Sequence, residues 1–443
     1  MTHVVIVGNG ISGITAARHI RKQSDMRITV ISGESDFFFS RTALMYIYMG
    51  HMTFEDTQPY ETHFWKKNRI ELLRAFVTKV NSTSKSLELH DGRSLQYDKL
   101  VIATGSKSNR FGWPGQDLKG VQGLYSHQDL QLLEENTHVW NAFPSERKVQ
   151  KAVIVGGGLI GVELTEMLIT RGIQVVFLIR ENRFWGGVLP KEEGDLVARH
   201  LREHGVELLF EEELESISGD DEGKVKELKT KSGVLIPCQL VGLTVGVSPN
   251  IGFLQGSNIE LGKGVLVNEF LQTNELDVFA VGDCAEFRQA PKGRKAIEQV
   301  WYTGRMMGEV VAKTITGENT VYEPGPWFNS AKFFDIEYQT YGNVKSNLSD
   351  DESDFYWEHV SMKKCMRLVF HESTRKFLGV NVFGIRMRHE VIDKWLRQER
   401  SIDFVLDNLK EANFDPEFFQ RHEGEILLKW MKSRENIKIN QAI

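Results

Sequence analysis

Residues 151–163 read KAVIVGGGLIGVE, and residues 3–14 read HVVIVGNGISGI, so one glycine spacing occurs twice, at Gly8/Gly10/Gly13 and at Gly156/Gly158/Gly161. Each copy follows a short apolar run suited to a buried strand and opens a helical pattern, ITAARHI in the first and GVELTEMLITRG in the second. In such a strand–turn–helix unit the first glycine permits the tight turn. The second lets the backbone approach a pyrophosphate, and the third lets the helix pack closely on the sheet. The phosphates then sit at the positive end of the helix.

The surroundings of the first copy strengthen this reading. A second strand, RITVIS, follows, and Glu34 lies just beyond it, 21 positions after Gly13, where a carboxylate can accept hydrogen bonds from ribose hydroxyls. The second copy is followed by the strand IQVVFLI. Two turns imply two dinucleotides, and the economical pair is a flavin that stays bound and a nicotinamide that exchanges.

Composition narrows the partners. With 443 residues, 41% hydrophobic and 26% charged, the chain suits two or three globular domains. Lys and Arg number 54 against 60 Asp and Glu, a net charge of −6, and no basic run is interleaved with aromatics, which argues against nucleic acid. Gly8 follows the first strand so early that no signal peptide fits before it. No apolar stretch reaches the roughly 18 residues of a membrane span, and a cytoplasmic protein is expected. The three cysteines, Cys238, Cys284 and Cys365, are too far apart in sequence for a C-x-x-C pair, and no metal site is expected.

With these motifs on the page, the chain resembles the two-dinucleotide flavoprotein reductases related to pyridine nucleotide-disulfide oxidoreductases, over about residues 1–345. Three further segments carry the resemblance. YDKLVIATGS, Tyr97–Ser106, is similar to the strand and Ala103-Thr104-Gly105 turn that return the chain to the first domain, and LTVGVSPN, Leu243–Asn250, to the second such crossing. TNELDVFAVGDCAE, Thr273–Glu286, resembles the second FAD fingerprint, with Gly282 at the turn and Asp283 implied at the ribityl chain or its phosphate. The implied fold is α/β: two Rossmann-like domains, for FAD (1–115 and 246–325) and NAD(P) (116–245), and a C-terminal α+β interface domain (326–443) with a helical tail. PWFNSAKFFDIEYQTYGNV resembles the start of that interface domain, which in the family commonly makes dimers, so a homodimer is expected. From Arg386 the sequence reads as helix, with Val391, Ile392, Trp395 and Leu396 on one face, until Pro416 breaks it.

The resemblance also implies what is missing. Disulfide reductases of the family carry a redox cysteine pair, and its single-cysteine oxidases and persulfide reductases carry one cysteine after the second strand. Here that region reads FFFSRTALMYIYMG, Phe37–Gly50, with Thr42 at the cysteine position, and a hydroxyl stores no electrons. The stretch instead resembles the Tyr/Phe-x-Arg-x-x-Leu segment of reductases serving ferredoxins, rubredoxins or nitrite reductase modules. Arg41 and Leu44 fit it, while Met45 and Tyr46 stand where many of those have a lysine. Arg41 is implied beside FAD, Gln299 and Trp301 near its ring at the start of the helix Ile297–Ala312, and Glu163 beside the nicotinamide. Cys284 reads as a packing residue. Where an NADH enzyme ends its strand with a carboxylate, this chain has Ile179, then Arg180, Glu181 and Arg183, which leans toward NADPH or dual use.

The function implied is an FAD-dependent NAD(P)H oxidoreductase passing electrons, without a thiol relay, to a small iron–sulfur or similar carrier protein. The alternatives are an NAD(P)H oxidase and a flavin-bearing redox sensor akin to apoptosis-inducing factor.

Overall fold

The computed structural model describes residues 1–138 and 149–441, with 435–441 described by backbone alone. Residues 139–148, inside the segment assigned above to nicotinamide binding, and 442–443 lie outside the described residues. Along the chain come β1 (His3–Val7), α1 (Ile11–Gln23), β2 (Arg27–Ser32), β3 (Ile70–Arg74) and β4 (Lys99–Ile102). Then follow β5 (Lys151–Val155), α2 (Leu159–Thr170), β6 (Gln174–Ile179), α3 (Lys191–Glu203), β7 (Glu207–Phe210) and β8 (Leu240–Leu243). The last named elements are β9 (Val278–Ala280), α4 (Trp301–Ile315), β10 (Phe328–Phe333), β11 (Ile336–Gly342), β12 (Glu352–Glu358), β13 (Cys365–His371) and β14 (Phe377–Phe383). Internal packing divides them into two compact units, Met1–Gly156 with Met167–Gln174 and Leu214–Pro324, and Gly157–Glu166 with Val175–Glu213 and Gly325–Ile443.

In the first unit, five parallel strands form a sheet in the order β9-β4-β1-β2-β3. Helices cover both faces of a doubly wound parallel sheet, so its central strands are apolar throughout rather than alternating. Val4, Val5 and Ile6 are each 0% exposed. Helix α4 packs on α1 where glycine removes the side chain, since a Cβ on Gly308 would lie 2.5 Å from the Ser12 carbonyl oxygen. The two crossings read from sequence meet here, for Val247–Pro249 pairs antiparallel with Ser106–Ser108. Strands β5 and β8, which belong to the second glycine unit, run parallel, Ala152 opposite Leu240.

The second unit carries the parallel pair β6 and β7, and a five-stranded antiparallel sheet in the order β10-β11-β14-β13-β12. Behind that sheet lies a core of Trp357, Leu368, Phe377, Val382, Ile392 and Trp395. The long helix read from Arg386 onward is instead three short ones, His389–Arg397, Ile402–Asp407 and Leu409–Ala412. Ser401 interrupts it, with extended backbone and its Oγ accepting from the Phe404 N–H at 3.2 Å, because a serine offers the next helix a better start than it offers the first a continuation. Among the described residues no helix is long and apolar enough to cross a membrane.

Candidate functional site

The first glycine turn is built by steric exclusion. Gly8 sits at φ +114°, where a side chain is strained, and a Cβ there would come within 2.1 Å of the Ala103 carbonyl oxygen. Its N–H donates to Ile31 at 2.8 Å. A Cβ on Gly13 would lie 2.1 Å from the Gly8 oxygen, so the third glycine brings α1 against the turn. Gly10 differs from both. Nothing lies within 4 Å of its Cβ direction, its backbone is extended (φ −69°, ψ −178°), and α1 begins with no side-chain cap and no acidic residue in its first turn. Backbone N–H groups at a helix start with no side chain over them form a site for a phosphate. The turn therefore fits a pyrophosphate on an observation separate from the glycine pattern.

Glu34 lies just past β2 and is held by Arg41, Nη1 to Oε1 at 2.8 Å and Nη2 to Oε2 at 2.5 Å, while the His127 N–H donates to Oε1 at 2.9 Å. Arg41 also donates to the Tyr125 carbonyl at 2.6 Å and stacks over the Tyr125 ring at 4.6 Å. Burial alone raises the Glu34 carboxyl. The Arg41 hydrogen bonds and charge, with the His127 N–H, outweigh it and leave the pKa below the ordinary carboxylate value.

The segments implied for the flavin converge in the same unit. Ala103 N–H donates to Val7 at 2.8 Å, Thr104 Oγ1 to Asn250 at 2.8 Å, and the Gly105 carbonyl accepts from the Asn250 N–H at 2.9 Å. Gly282 and Asp283 form a single 3-10 turn in which the Gly282 N–H faces Met307 Sδ at 3.2 Å. The Asp283 carboxylate accepts from Ser106 Oγ at 3.2 Å and the Tyr125 hydroxyl at 3.4 Å, and burial raises its pKa. Gln299 donates to Ser106 Oγ at 2.8 Å and to the Val247 carbonyl at 3.3 Å. Trp301 stacks on Phe38 at 6.0 Å between ring centres.

Two features depart from the sequence reading. Helix α4 starts at Trp301, not at Ile297, because Val300 holds the extended φ −136°, ψ 138° that suits a β-branched residue. Gln299 thus precedes the helix rather than lying in it. Tyr125 was not singled out, yet it bonds three site segments, its hydroxyl also accepting from the Ser106 N–H at 2.9 Å. Burial, with Asp283 nearby, pushes its phenol up to about 12. Its signal is the capping box that follows, in which Ser126 Oγ accepts from Asp129 and the Asp129 carboxylate accepts the Ser126 and Tyr125 N–H groups, fixing Tyr125 at a helix entry.

The second glycine turn resembles the first at its first two glycines. Gly156 has φ +109° and would place a Cβ 2.6 Å from the Thr244 oxygen, whereas Gly158 faces nothing within 4 Å. Gly161 lies in α2, where its carbonyl accepts Thr165 Oγ1 at 2.7 Å. Of this set Gly156 belongs to the first unit, and Gly158, Gly161, Glu163 and Arg180 to the second. Glu163 is pushed up to about 7 by burial and by the neighbouring Glu166 charge. Ile179, the last residue of β6, is buried, while Arg180 beyond it is 72% exposed and pairs with Glu181 at 3.1 Å. Arg183 bonds the Gly186 carbonyl at 3.0 Å.

Cys238, Cys284 and Cys365 are each 0% exposed. Cys284 donates to the Ile102 and Val281 carbonyls at 3.4 Å, and burial pushes its pKa up, the environment of an inert thiol. Thr42 is exposed, with Ser40 Oγ 3.4 Å from its Oγ1.

The chain is similar to several known proteins. Nitrite reductase [NAD(P)H] of Bacillus subtilis (strain 168) is 30% identical over 288 residues, 64% of this chain and 34% of that protein. The assimilatory nitrate reductase electron transfer subunit of the same organism is 25% identical over 421 residues, 94% of this chain and 52% of that one. The chain thus spans about a third and about half of the lengths of these two relatives. A ferredoxin reductase from Rhodopseudomonas palustris has the same fold, with a TM-score of 0.77 at 20% identity over 94% of this chain and 96% of that one. Residues 2–308 match the pyridine nucleotide-disulphide oxidoreductase family, and the chain belongs to it.

Proposed function

We propose that this chain is an FAD-dependent NAD(P)H oxidoreductase that delivers electrons to a small iron–sulfur or similar carrier protein without a cysteine relay. The observation that carries it is the pairing of two open glycine turns, at Gly10 and Gly158, with three cysteines all withdrawn from the surface. The electron-transfer relative from Bacillus subtilis supports delivery to a partner. FAD, when bound there, would supply acceptance of a hydride from reduced nicotinamide and release of its two electrons singly or as a pair.

The chain's own residues bind and orient. Gly8, Gly10 and Gly13 with the start of α1 would hold the FAD pyrophosphate, Glu34 the ribose, and Asp283 the ribityl chain or its phosphate. Arg41 fixes the Glu34 carboxylate, and Ser106 and Tyr125 fix that of Asp283. Gln299 and Trp301 would lie toward the ring. Gly156, Gly158 and Gly161 would hold the nicotinamide nucleotide, Glu163 its carboxamide, and Arg180 the 2′-phosphate of NADPH. In this reading 1–115 with 246–325 serve FAD, 116–245 serve NAD(P), and 326–443 form the interface of a cytoplasmic homodimer.

The test is anaerobic mixing of the purified yellow protein with NADPH and with NADH, followed by a ferredoxin or by air. Bleaching, then recolouring by the carrier much faster than by air, is the expected result. Recolouring by air within one turnover makes oxygen the acceptor, and no bleaching overturns the proposal.

A further inference from the structure

Two histidines in the second unit have no role in the chemistry described so far. His200 and His204 stand four residues apart at the C-terminal end of α3, and Asp335 sits in the turn that joins β10 to β11. One ligand atom from each lies within 4.8 Å of the other two. His200 Nε2 is 2.5 Å from Asp335 Oδ1, and His204 Nε2 is 3.9 Å from the same oxygen.

The ring nitrogens are arranged for a ligand. The His200 side chain is only 3% exposed, yet neither of its nitrogens has an aligned hydrogen-bond partner. Buried polar atoms are nearly always satisfied, so a buried imidazole set directly against a carboxylate without an aligned hydrogen bond offers a nitrogen and an oxygen to one shared ligand, around which their contact would open to about 3.3 Å. His204 Nδ1 lies 2.9 Å from the His200 carbonyl, an acceptor that fixes the proton on Nδ1 and leaves the Nε2 lone pair turned to Asp335. Metal-ligating histidines commonly donate their second nitrogen to a backbone carbonyl in this way. The outer oxygen of Asp335 is steadied by Lys363 Nζ at 3.8 Å, and His200 Nδ1 has the Glu203 carboxylate at 3.6 Å.

We propose that His200 Nε2, His204 Nε2 and Asp335 Oδ1 bind one divalent transition ion of the zinc type, clipping the end of α3 to the β10–β11 turn. Two imidazoles and one carboxylate suit Zn²⁺, whose tetrahedral shell is completed by water on the solvent side, where Asp335 is exposed. Among the described residues the other such group is His359, His422 and Glu425, where Lys364 Nζ lies 3.1 Å from the His422 Nε2 that would ligate, whereas Lys363 stands at the outer Asp335 oxygen that would not.

The test uses full-length, tag-free protein stripped with a chelator and titrated with Zn²⁺, with metal measured after gel filtration, and with Co²⁺ as an absorbance probe of tetrahedral nitrogen–oxygen ligation. The expected result is one retained equivalent and a Co²⁺ visible band. The exposed-side variants His204→Gln and Asp335→Asn, chosen because His200 is buried, should each weaken binding by about tenfold or more. Equal circular dichroism and flavin content in the variants show that folding is intact. Failure to retain an ion, or retention unchanged in the His204→Gln/Asp335→Asn double variant, overturns the proposal.

Discussion

Arg41 grips the Glu34 carboxylate with both guanidinium branches, at 2.8 and 2.5 Å, and both side chains are about three-quarters buried. Truncating one member strands the other. Arg41→Leu should destabilise the first unit by about 1–3 kcal/mol, below the range for a fully buried pair because some exposure remains. The pH dependence has a definite sign. The folded carboxyl titrates below its unfolded value, so its stabilisation is present above about pH 4.5 and is lost as pH falls through the lowered folded pKa. The stability gap between wild type and Arg41→Leu, measured by urea unfolding, should therefore be full at pH 7 and shrink toward pH 3.

Gly8 and Gly10 separate folding from cofactor binding. Gly8→Ala drives a Cβ to 2.1 Å from the Ala103 oxygen at a positive φ, and should abolish soluble expression or cost several kcal/mol. Gly10→Ala meets no protein atom and keeps an ordinary extended backbone. It should unfold like wild type when both are flavin-free, yet copurify with little or no flavin. Full flavin content in Gly10→Ala would show that the pyrophosphate lies elsewhere.

Glu163 titrates in the opposite sense to Glu34. Its folded pKa is raised to about 7, so the folded state holds a proton that the unfolded state has lost, and stability falls as pH climbs from about 4.5 to 7. Glu163→Gln removes that term. The variant should match wild type near pH 4.5 and be more stable by about 1–3 kcal/mol at pH 8. A gap independent of pH would show that Glu163 is not held protonated.

In the proposed function nicotinamide choice would rest on Arg180, an exposed side chain whose ion pair is with Glu181. Arg180→Ala should lower kcat/KM for NADPH about tenfold, a transition-state loss of about 1.4 kcal/mol, and leave NADH nearly unchanged. Equal losses with both nucleotides would assign Arg180 no part in selection.

How much of this was legible in the sequence depends on where each constraint acts. The glycine turns were readable because backbone approaches such as Gly13 to Gly8 exclude every other residue, leaving the constraint in the sequence itself. Glu34 was placed by its distance from the same turn. The Asp283–Tyr125 bond was not readable, since it joins positions 158 apart and tyrosines fill cores as often as sites. The start of α4 at Trp301 and the break at Ser401 were missed because apolar periodicity runs through both points, whereas the deciding preferences belong to Val300 and Ser401 alone. His200 and His204 carry helical spacing, but Asp335, which gives that spacing a chemical meaning, lies 131 positions beyond His204.

The proposed activity is a flavin reduced by nicotinamide and discharged without a thiol. It is tested most directly by an anaerobic titration with NADPH or NADH after the folded protein has been treated with a thiol-alkylating reagent. None of the three buried cysteines should react before denaturation, and one equivalent of nicotinamide, two electrons, should bleach the flavin completely. A requirement for a second equivalent, or loss of bleaching on alkylation, would place a reactive thiol in the path and contradict it.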